Sequence, residues 1–198
     1  MTIINGYTDL NTLKLSLKIT DTVDDAWLTI CINAASRAID NFCERVFYQT
    51  SATRVYAPND NFVTEIDDLV TLTTLKTSTN VDGVFDQTWK ANDYQLEPLN
   101  GIAGGIPSPR TLVRAVNDYW FPTAGQEATV QIVGTFGWVA IPDAIEQACI
   151  LQSARYFKRG DSPMGVAGFG EGMGVVRLSR IDPDIATLLE PYQRVRMA

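Results

Sequence analysis

Two stretches of the chain repeat apolar residues every three to four positions, and between them the repeat shortens to two. The first, Asp24 to Phe47 (DDAWLTICINAASRAIDNFCERVF), sets Trp27, Cys31, Ala34, Ala38 and Phe42 on one line, with Leu28, Ala35 and Ile39 beside them. Thr29, Asn33, Arg37, Asp40 and Glu44 take the opposite side, so the spacing predicts an amphipathic helix of about five turns, roughly 30 Å long. Asp24 and Asp25 fall where unpaired N–H groups and the helix dipole favour negative charge, and Thr20, Asp21 and Thr22 are candidate caps. Ala34, Ala35 and Ala38 admit a second helix at close range, and the expected partner is the other helical stretch, Ile141 to Arg159.

Upstream, Thr8 is placed to cap a short helix over Asp9 to Leu17, with Leu10, Leu13 and Leu17 on one side and Lys14 and Lys18 in its latter part. After Phe47 the period becomes two. Thr53 and Val55, then Phe62 to Ile66 after the Ala57 to Asn61 turn, begin a β region. Leu69 to Thr79 is rich in Thr and branched residues, and Asn80-Val81-Asp82-Gly83 supplies a hairpin turn into Val84 to Trp89. Tyr94 to Glu97, Thr111 to Val116 and Ala128 to Gly134 read as further strands, and Asn100 to Pro109 as a Gly/Pro loop. Short strands with no helical pattern between them predict an antiparallel meander or small sandwich.

Ile141-Pro142-Asp143 restores helix, with proline at the first helical position, and Gly160 stops it. Its apolar residues spread over more than one face, which calls for more than one packing surface, within the subunit or on a neighbour. Residues 161–174 hold five glycines and read as a hinge; Val175 to Arg180 alternates like a strand, and Asp182-Pro183-Asp184 starts a short helix. The fold class expected is therefore α+β: a small helical bundle, built on the long central helix and the second long helix, with an inserted antiparallel β region and an extended C-terminal arm. The corresponding divisions are 1–48, 49–141, 142–160 and 161–198.

The chain has 198 residues, enough for a core without cross-links, and no apolar run approaches the ~20 residues of a membrane span. The N-terminus lacks the form of a signal peptide, so the expectation is a soluble protein made in a cytoplasm. Net charge is −7, and residues 49–141 alone hold ten acidic against five basic groups. An acidic surface argues against tight wrapping of nucleic acid, while leaving room for DNA that passes without sticking.

Histidine is absent altogether, which removes Ser-His-Asp and Cys-His nucleophilic sites, imidazole bases and His-containing metal sites. Cys31, Cys43 and Cys149 have no CxxC spacing and read as small buried hydrophobes. The glycines of 168–174 lack the flanking strand, GK[ST] ending and helix of a phosphate loop. Asp67-Asp68 is the carboxylate pair to weigh for a metal-dependent reaction, against the plainer reading of a solvated turn. Trp89, Tyr94, Tyr119, Trp120, Phe136 and Trp138 lack interleaved Lys and Arg, so core or interface packing is preferred over stacking on nucleic acid. No catalytic residue, metal site or cofactor is assigned.

Three blocks together resemble one family: ITDTVDDAWLTICINAASRAIDNFCERVF at 19–47, GWVAIPDAIEQACILQSARYFKRGDSPMG at 137–165 and RLSRIDPDIATLLEPYQRVR at 177–196. In their order, and in the closing DPDIATLLEPYQR, the chain resembles the head-tail connector (adaptor, or head-completion) family of tailed double-stranded-DNA phages and gene-transfer particles. The resemblance implies a virion structural protein of the neck: a homo-oligomeric ring of about twelve subunits under the portal protein, extending the DNA channel. Its expected partners are the portal, the next neck, stopper or tail-completion component, and double-stranded DNA passing without sequence recognition. The family's C-terminal arm reaches toward the portal, which makes Arg177, Arg180, Tyr192 and Arg194 the candidate contact residues. Two alternatives stay open: a tail-completion binding module, and a small carboxylate- or metal-dependent phage enzyme using Asp67 and Asp68.

Overall fold

In a computed structural model that describes residues 1–123, 127–160 and 182–194, the Asp9 carboxylate accepts the Thr12 N–H at 3.0 Å and its hydroxyl at 2.7 Å. Those bonds start helix α1 (Leu10–Leu17) and displace Thr8 as the expected cap by one residue. They also lower the pKa of Asp9, since they favour its charged form. Helix α2 (Asp25–Cys43) follows, with Asp24 at its cap position but no side-chain capping bond. Its start is fixed instead by Lys14 of α1, whose ammonium meets Asp25 at 2.6 Å. The expected end at Phe47 is four residues too late, because Glu44 turns to the left-handed region at φ 53° and closes the helix.

The buried stripe of α2 is Leu28, Cys31, Ile32, Ala35, Ser36, Ile39 and Cys43, joined by Thr29 from the face expected to be polar. Thr29 tolerates burial because its hydroxyl donates to the Asp25 carbonyl at 2.8 Å. Trp27 and Ala34, expected at the centre of the stripe, are exposed. The stripe is rotated because α2 must meet two helices. Leu13, Leu28 and Ile32 form one cluster, and Leu10, Leu17, Ile150, Ala154 and Phe157 pack on it from α1 and from helix α3 (Asp143–Gly160). Ser36 and Cys149 approach to 3.5 Å at the α2–α3 contact, where small side chains allow close packing. Helix α3 begins at Asp143, and the Pro142 carbonyl accepts from Glu146 at 3.1 Å. It packs against α1, α2 and a short helix α4 (Pro183–Leu189), while Leu151 on α3 stays exposed.

Helices and one main antiparallel sheet thus make an α+β protein in two units, Met1–Arg45 with Ile141–Ala198, and Val46–Ala140. Among the described residues no helix is long and apolar enough to cross a membrane.

The sheet unit runs β1 (Thr50–Tyr56), β2 (Val63–Thr77), β3 (Gln87–Thr88), β4 (Tyr94–Glu97), a small hairpin of β5 (Ile102–Ala103) and β6 (Ile106–Pro107), β7 (Arg110–Ala115) and β8 (Val130–Phe136). The main sheet has the order β1-β8-β2-β7-β4, with β3 on β2, so it is not a meander. Strand β2 decides this arrangement. Its first residues pair with β7, its second half pairs with β8, and Leu69 is opposite both Arg110 and Phe136. Register shifts near Leu69 and Leu72 bend it, and the two halves share one core containing Ile66, Leu69, Leu75, Val113, Ile132 and Phe136. Trp89 and Phe121 add a stacked pair with centroids 4.8 Å apart, and the Trp89 indole N–H donates to Thr77 at 2.9 Å.

The two ends of this unit are tied to each other. Phe47 lies 5.2 Å from the Trp138 ring, Gln49 donates to the Trp138 and Val139 carbonyls, and the Trp138 indole donates to Asp68 at 3.0 Å. Gly137, at φ 113°, lets its backbone pass so close that a Cβ would stand 2.0 Å from the Tyr48 carbonyl oxygen. Gly137→Ala is therefore expected to destabilise the chain by at least about 1–3 kcal/mol, read as a lower denaturant midpoint with an unchanged slope.

Candidate interaction surfaces

Asp67 and Asp68 lie inside β2 rather than in the solvated turn that two adjacent acids suggest. Each carboxylate has its own partners. Asp67 accepts from Arg54 at 2.7 Å and from the Tyr56 hydroxyl at 3.1 Å, and the Arg54 guanidinium stacks 4.2 Å above Phe136. Burial and the Asp67 charge push the Tyr56 phenol well above its ordinary range, so it stays a donor. Asp68 is buried and receives the Trp138 indole, while its carbonyl accepts from Gly137 at 2.7 Å. The pair works as two struts across the bent strand, not as one cation site. Among the described residues no cluster of three or more Cys, Asp and Glu side chains is arranged to hold a metal.

The thiols are equally committed to packing. Cys31, Cys43 and Cys149 are free and buried, and burial raises the pKa of each, that of Cys43 to about 12. A thiol so placed is neutral and poorly nucleophilic. On the sheet, a depression of about 380 Å³ between β1, β8 and the bulge of β2 is lined by Ser51, Thr53, Thr73 and Thr135 beside Ala52, Val133 and Gly134. None of these side chains titrates near neutral pH, so the depression supplies no acid, base or activated nucleophile.

The C-terminal residues are in part legible. The Asp182 carboxylate caps α4 by accepting from Asp184 at 3.2 Å, and Arg155 of α3 reaches it at 3.5 Å. Ile185 and Leu189 are buried in the helical unit. Beyond a turn at Glu190–Tyr192, the Arg194 N–H donates to the Cys43 carbonyl at 2.9 Å and the Gln193 amide to the Phe42 carbonyl at 3.5 Å. Carbonyls of the last turn of α2, left open by the helix end, are thus capped from the other end of the chain. Of the four candidate contact residues, Tyr192 is half-buried on this turn and Arg194 is held by its backbone. Arg177 and Arg180 lie outside the described residues, as do the glycine hinge and the strand expected over Val175 to Arg180.

The N-terminal residues carry an arrangement that periodicity did not reveal. Asn33, Ser36, Arg37 and Asp40 occupy one polar line of α2, and residues 2–7 lie along it. Asn33 accepts the Ile4 N–H and Ser36 the Tyr7 N–H, Arg37 donates to the Asn5 carbonyl, and the Tyr7 hydroxyl donates to Asp40. The only signal in the sequence was this i, i+3, i+4, i+7 run of hydrogen-bonding side chains.

Among the described residues, two groups of exposed apolar side chains contain a tryptophan. On α2, Trp27 (43% exposed), Ile30 (37%) and Ala34 form a stripe at helical spacing, and the Trp27 indole lies against Gly160 at the basic end of α3. In the sheet unit, Phe62 (58% exposed) and Trp120 (62%) project from adjoining loops.

Comparisons with known proteins come to bear on this geometry. Residues 7–87, which run from Tyr7 through α1, α2, β1 and β2, match the family model of the phage gp6-like head-tail connector protein. A comparison with curated proteins gives no match. Among solved structures, a chain from the neck of the empty GTA particle computed with C6 symmetry is 17% identical, with a TM-score of 0.59 over 100% of this chain and 95% of that one. A chain from the neck of the native GTA particle with C12 symmetry gives 17% and 0.58 over 100% and 94%, and one from the virion of the native gene transfer agent (GTA) particle 19% and 0.55 over 100% and 95%. At these identities the likeness establishes a shared fold.

Two outcomes follow from the buried groups. Native protein is expected to leave all three thiols unmodified by iodoacetamide at pH 8, and denatured protein to take up three labels, counted by intact mass. Burial raises the pKa of Asp40 above 3.8 against the opposing pull of Tyr7 and Arg37. The native state therefore binds the proton more tightly than the unfolded chain, and this contribution to stability is lost as pH rises from 3.8 through the higher folded value. Asp40→Asn should remove that part of the slope in unfolding free energy against pH. The match to the head-tail connector family model at residues 7–87 takes in α1, α2 and the first of the three blocks, 19–47, that carry the resemblance in the sequence, and the chain is similar to that family over this stretch.

Proposed function

We propose that the chain is a structural protein of the virion neck, which assembles as a ring of about twelve copies beneath the portal and prolongs the DNA channel. It offers the next neck or tail component its attachment surface and performs no reaction. The observation that carries the reading is the coincidence of a head-tail connector match at residues 7–87 with a fold shared, over the whole chain, with a component of a GTA neck. The chemistry is in keeping with it. The described carboxylates and thiols that sequence alone left available for catalysis are engaged in packing and structural hydrogen bonds. Ten acidic against five basic groups in residues 49–141 suit a protein past which DNA moves without sticking.

Arg177, Arg180, Tyr192 and Arg194 are the proposed portal contacts. Co-sedimentation with the portal ring of the same particle tests the reading. The full chain should pellet at about one copy per portal subunit, and replacing the four residues together by alanine should weaken binding while the circular dichroism spectrum of the free chain stays that of a folded α+β protein. Truncation after Gly160 is the poorer variant, since it also strips Ile185 and Leu189 from the helical unit. Absence of binding by the full chain refutes the portal-adaptor reading.

A further inference from the structure

Solvent-exposed tryptophan is uncommon on a monomer surface, and this chain holds two on patches of opposite charge. In the sheet unit, the loops at 57–62 and 116–123 are locked together. The Phe121 N–H donates to the Asn61 carbonyl at 2.7 Å, the Ala115 N–H to the Phe62 carbonyl at 2.8 Å, and the Thr123 hydroxyl to Asn61 at 2.5 Å. Asp60 fixes the turn by accepting the Phe62 and Val63 N–H groups at 2.6 and 2.7 Å. Tyr119 and Phe121 turn inward onto Trp89, which leaves Trp120 no room in the core. Phe62 and Trp120 are thus presented on pre-ordered backbone, with exposed Asp60 and Asp118 beside them. Such aromatic anchors lose little entropy on binding.

The stripe on α2 has the complementary character. Trp27, Ile30 and Ala34 lie along one face, and Gly160, against which the Trp27 indole sits, is preceded by exposed Lys158 and Arg159. Their charges lie in the last turn of α3, where the helix dipole favours cations. One patch is apolar with Asp60 and Asp118 at its rim, where Arg114 near Asp60 is already paired with Glu97, and the other is apolar with Lys158 and Arg159 at its rim, on the same chain.

We propose that these two patches bind each other between copies: the Phe62/Trp120 loops of one subunit seat on the Trp27/Ile30/Ala34 stripe of the next, with Asp60 and Asp118 facing Lys158 and Arg159. Because the two surfaces differ, the contact is heterologous, and repetition of it makes a ring when the rotation closes. The proposal rests on the neck reading and names the subunit contact that the ring would use.

Sedimentation velocity of the full chain, alone over a concentration series and bound to the portal ring, tests it. Trp120→Ser and Ile30→Ser are each expected to weaken self-association at least about tenfold while leaving the circular dichroism spectrum and melting temperature unchanged. Asp118→Lys and Arg159→Glu should each weaken it, and an equimolar mixture of these two variants should recover mixed complexes. If the wild type self-associates and none of the four substitutions alters it, this contact is wrong and the neck reading survives. If the mixture shows no recovery, the charge pairing is refuted. A wild-type chain that binds the portal but never contacts a second copy overturns the proposal alone, and one that neither binds the portal nor self-associates overturns both.

Discussion

The close approach of α2 and α3, with Ser36 3.5 Å from Cys149, is the contact on which the helical unit depends. The two helices are far apart in sequence, so this unit cannot form until residues on both sides of Val46–Ala140 have met. Small side chains, Ala35 and Ser36 on one helix and Ala148 and Cys149 on the other, make the approach possible and are all buried. Around that seam α1 adds Leu13 and α4 adds Ile185 and Leu189. Both ends of the chain then serve α2: residues 2–7 run along its polar line, and Gln193 and Arg194 close its last turn.

In the sheet unit the corresponding constraint is the bend of β2. The first residues of this fifteen-residue strand pair with β7 along one edge and its second half with β8 along the other, and the register shifts fall where the two ladders overlap and just beyond. Gly134 of β8 permits the close pairing, since a Cβ there would lie 2.3 Å from the Thr71 carbonyl. Arg54 and Tyr56 on β1 meet Asp67 on β2 and so tie the sheet's edge strand to its bent one. These are polar contacts at the margin of an apolar core, half-exposed, and worth more in fixing the bend than in raw stability.

What was legible in the sequence was what local periodicity encodes. The long helices, the short ones at either end and most strands stood within a few residues of their observed positions, because 3.6- and 2-residue repeats report directly on a single packing face. The rotation of the α2 stripe from Trp27 to Leu28 and Ile32 was not legible, since it depends on where α1 and α3 lie. Asp67 and Asp68 were misread as a turn, because two acids interrupt an apolar strand pattern unless their distant partners Arg54 and Trp138 are known. The order of the sheet is a matter of non-local pairing and left no trace in spacing. Of the surfaces, Trp120 was recognisable only as an aromatic to be packed somewhere. Its exposure follows from Tyr119 and Phe121 claiming the space beside Trp89.

The stem of the sheet unit has a further implication. Phe47, Gln49, Gly137 and Trp138 bring its first and last residues side by side, so the chain leaves and returns through one narrow neck of backbone. An insertion with joined ends imposes almost no closure entropy on its host, whatever its length. The helical unit and the sheet unit are therefore free to diverge at different rates. Lineages can lengthen, trim or exchange the module between Val46 and Ala140 to follow a changing neighbour, while the helices that receive it keep their own packing.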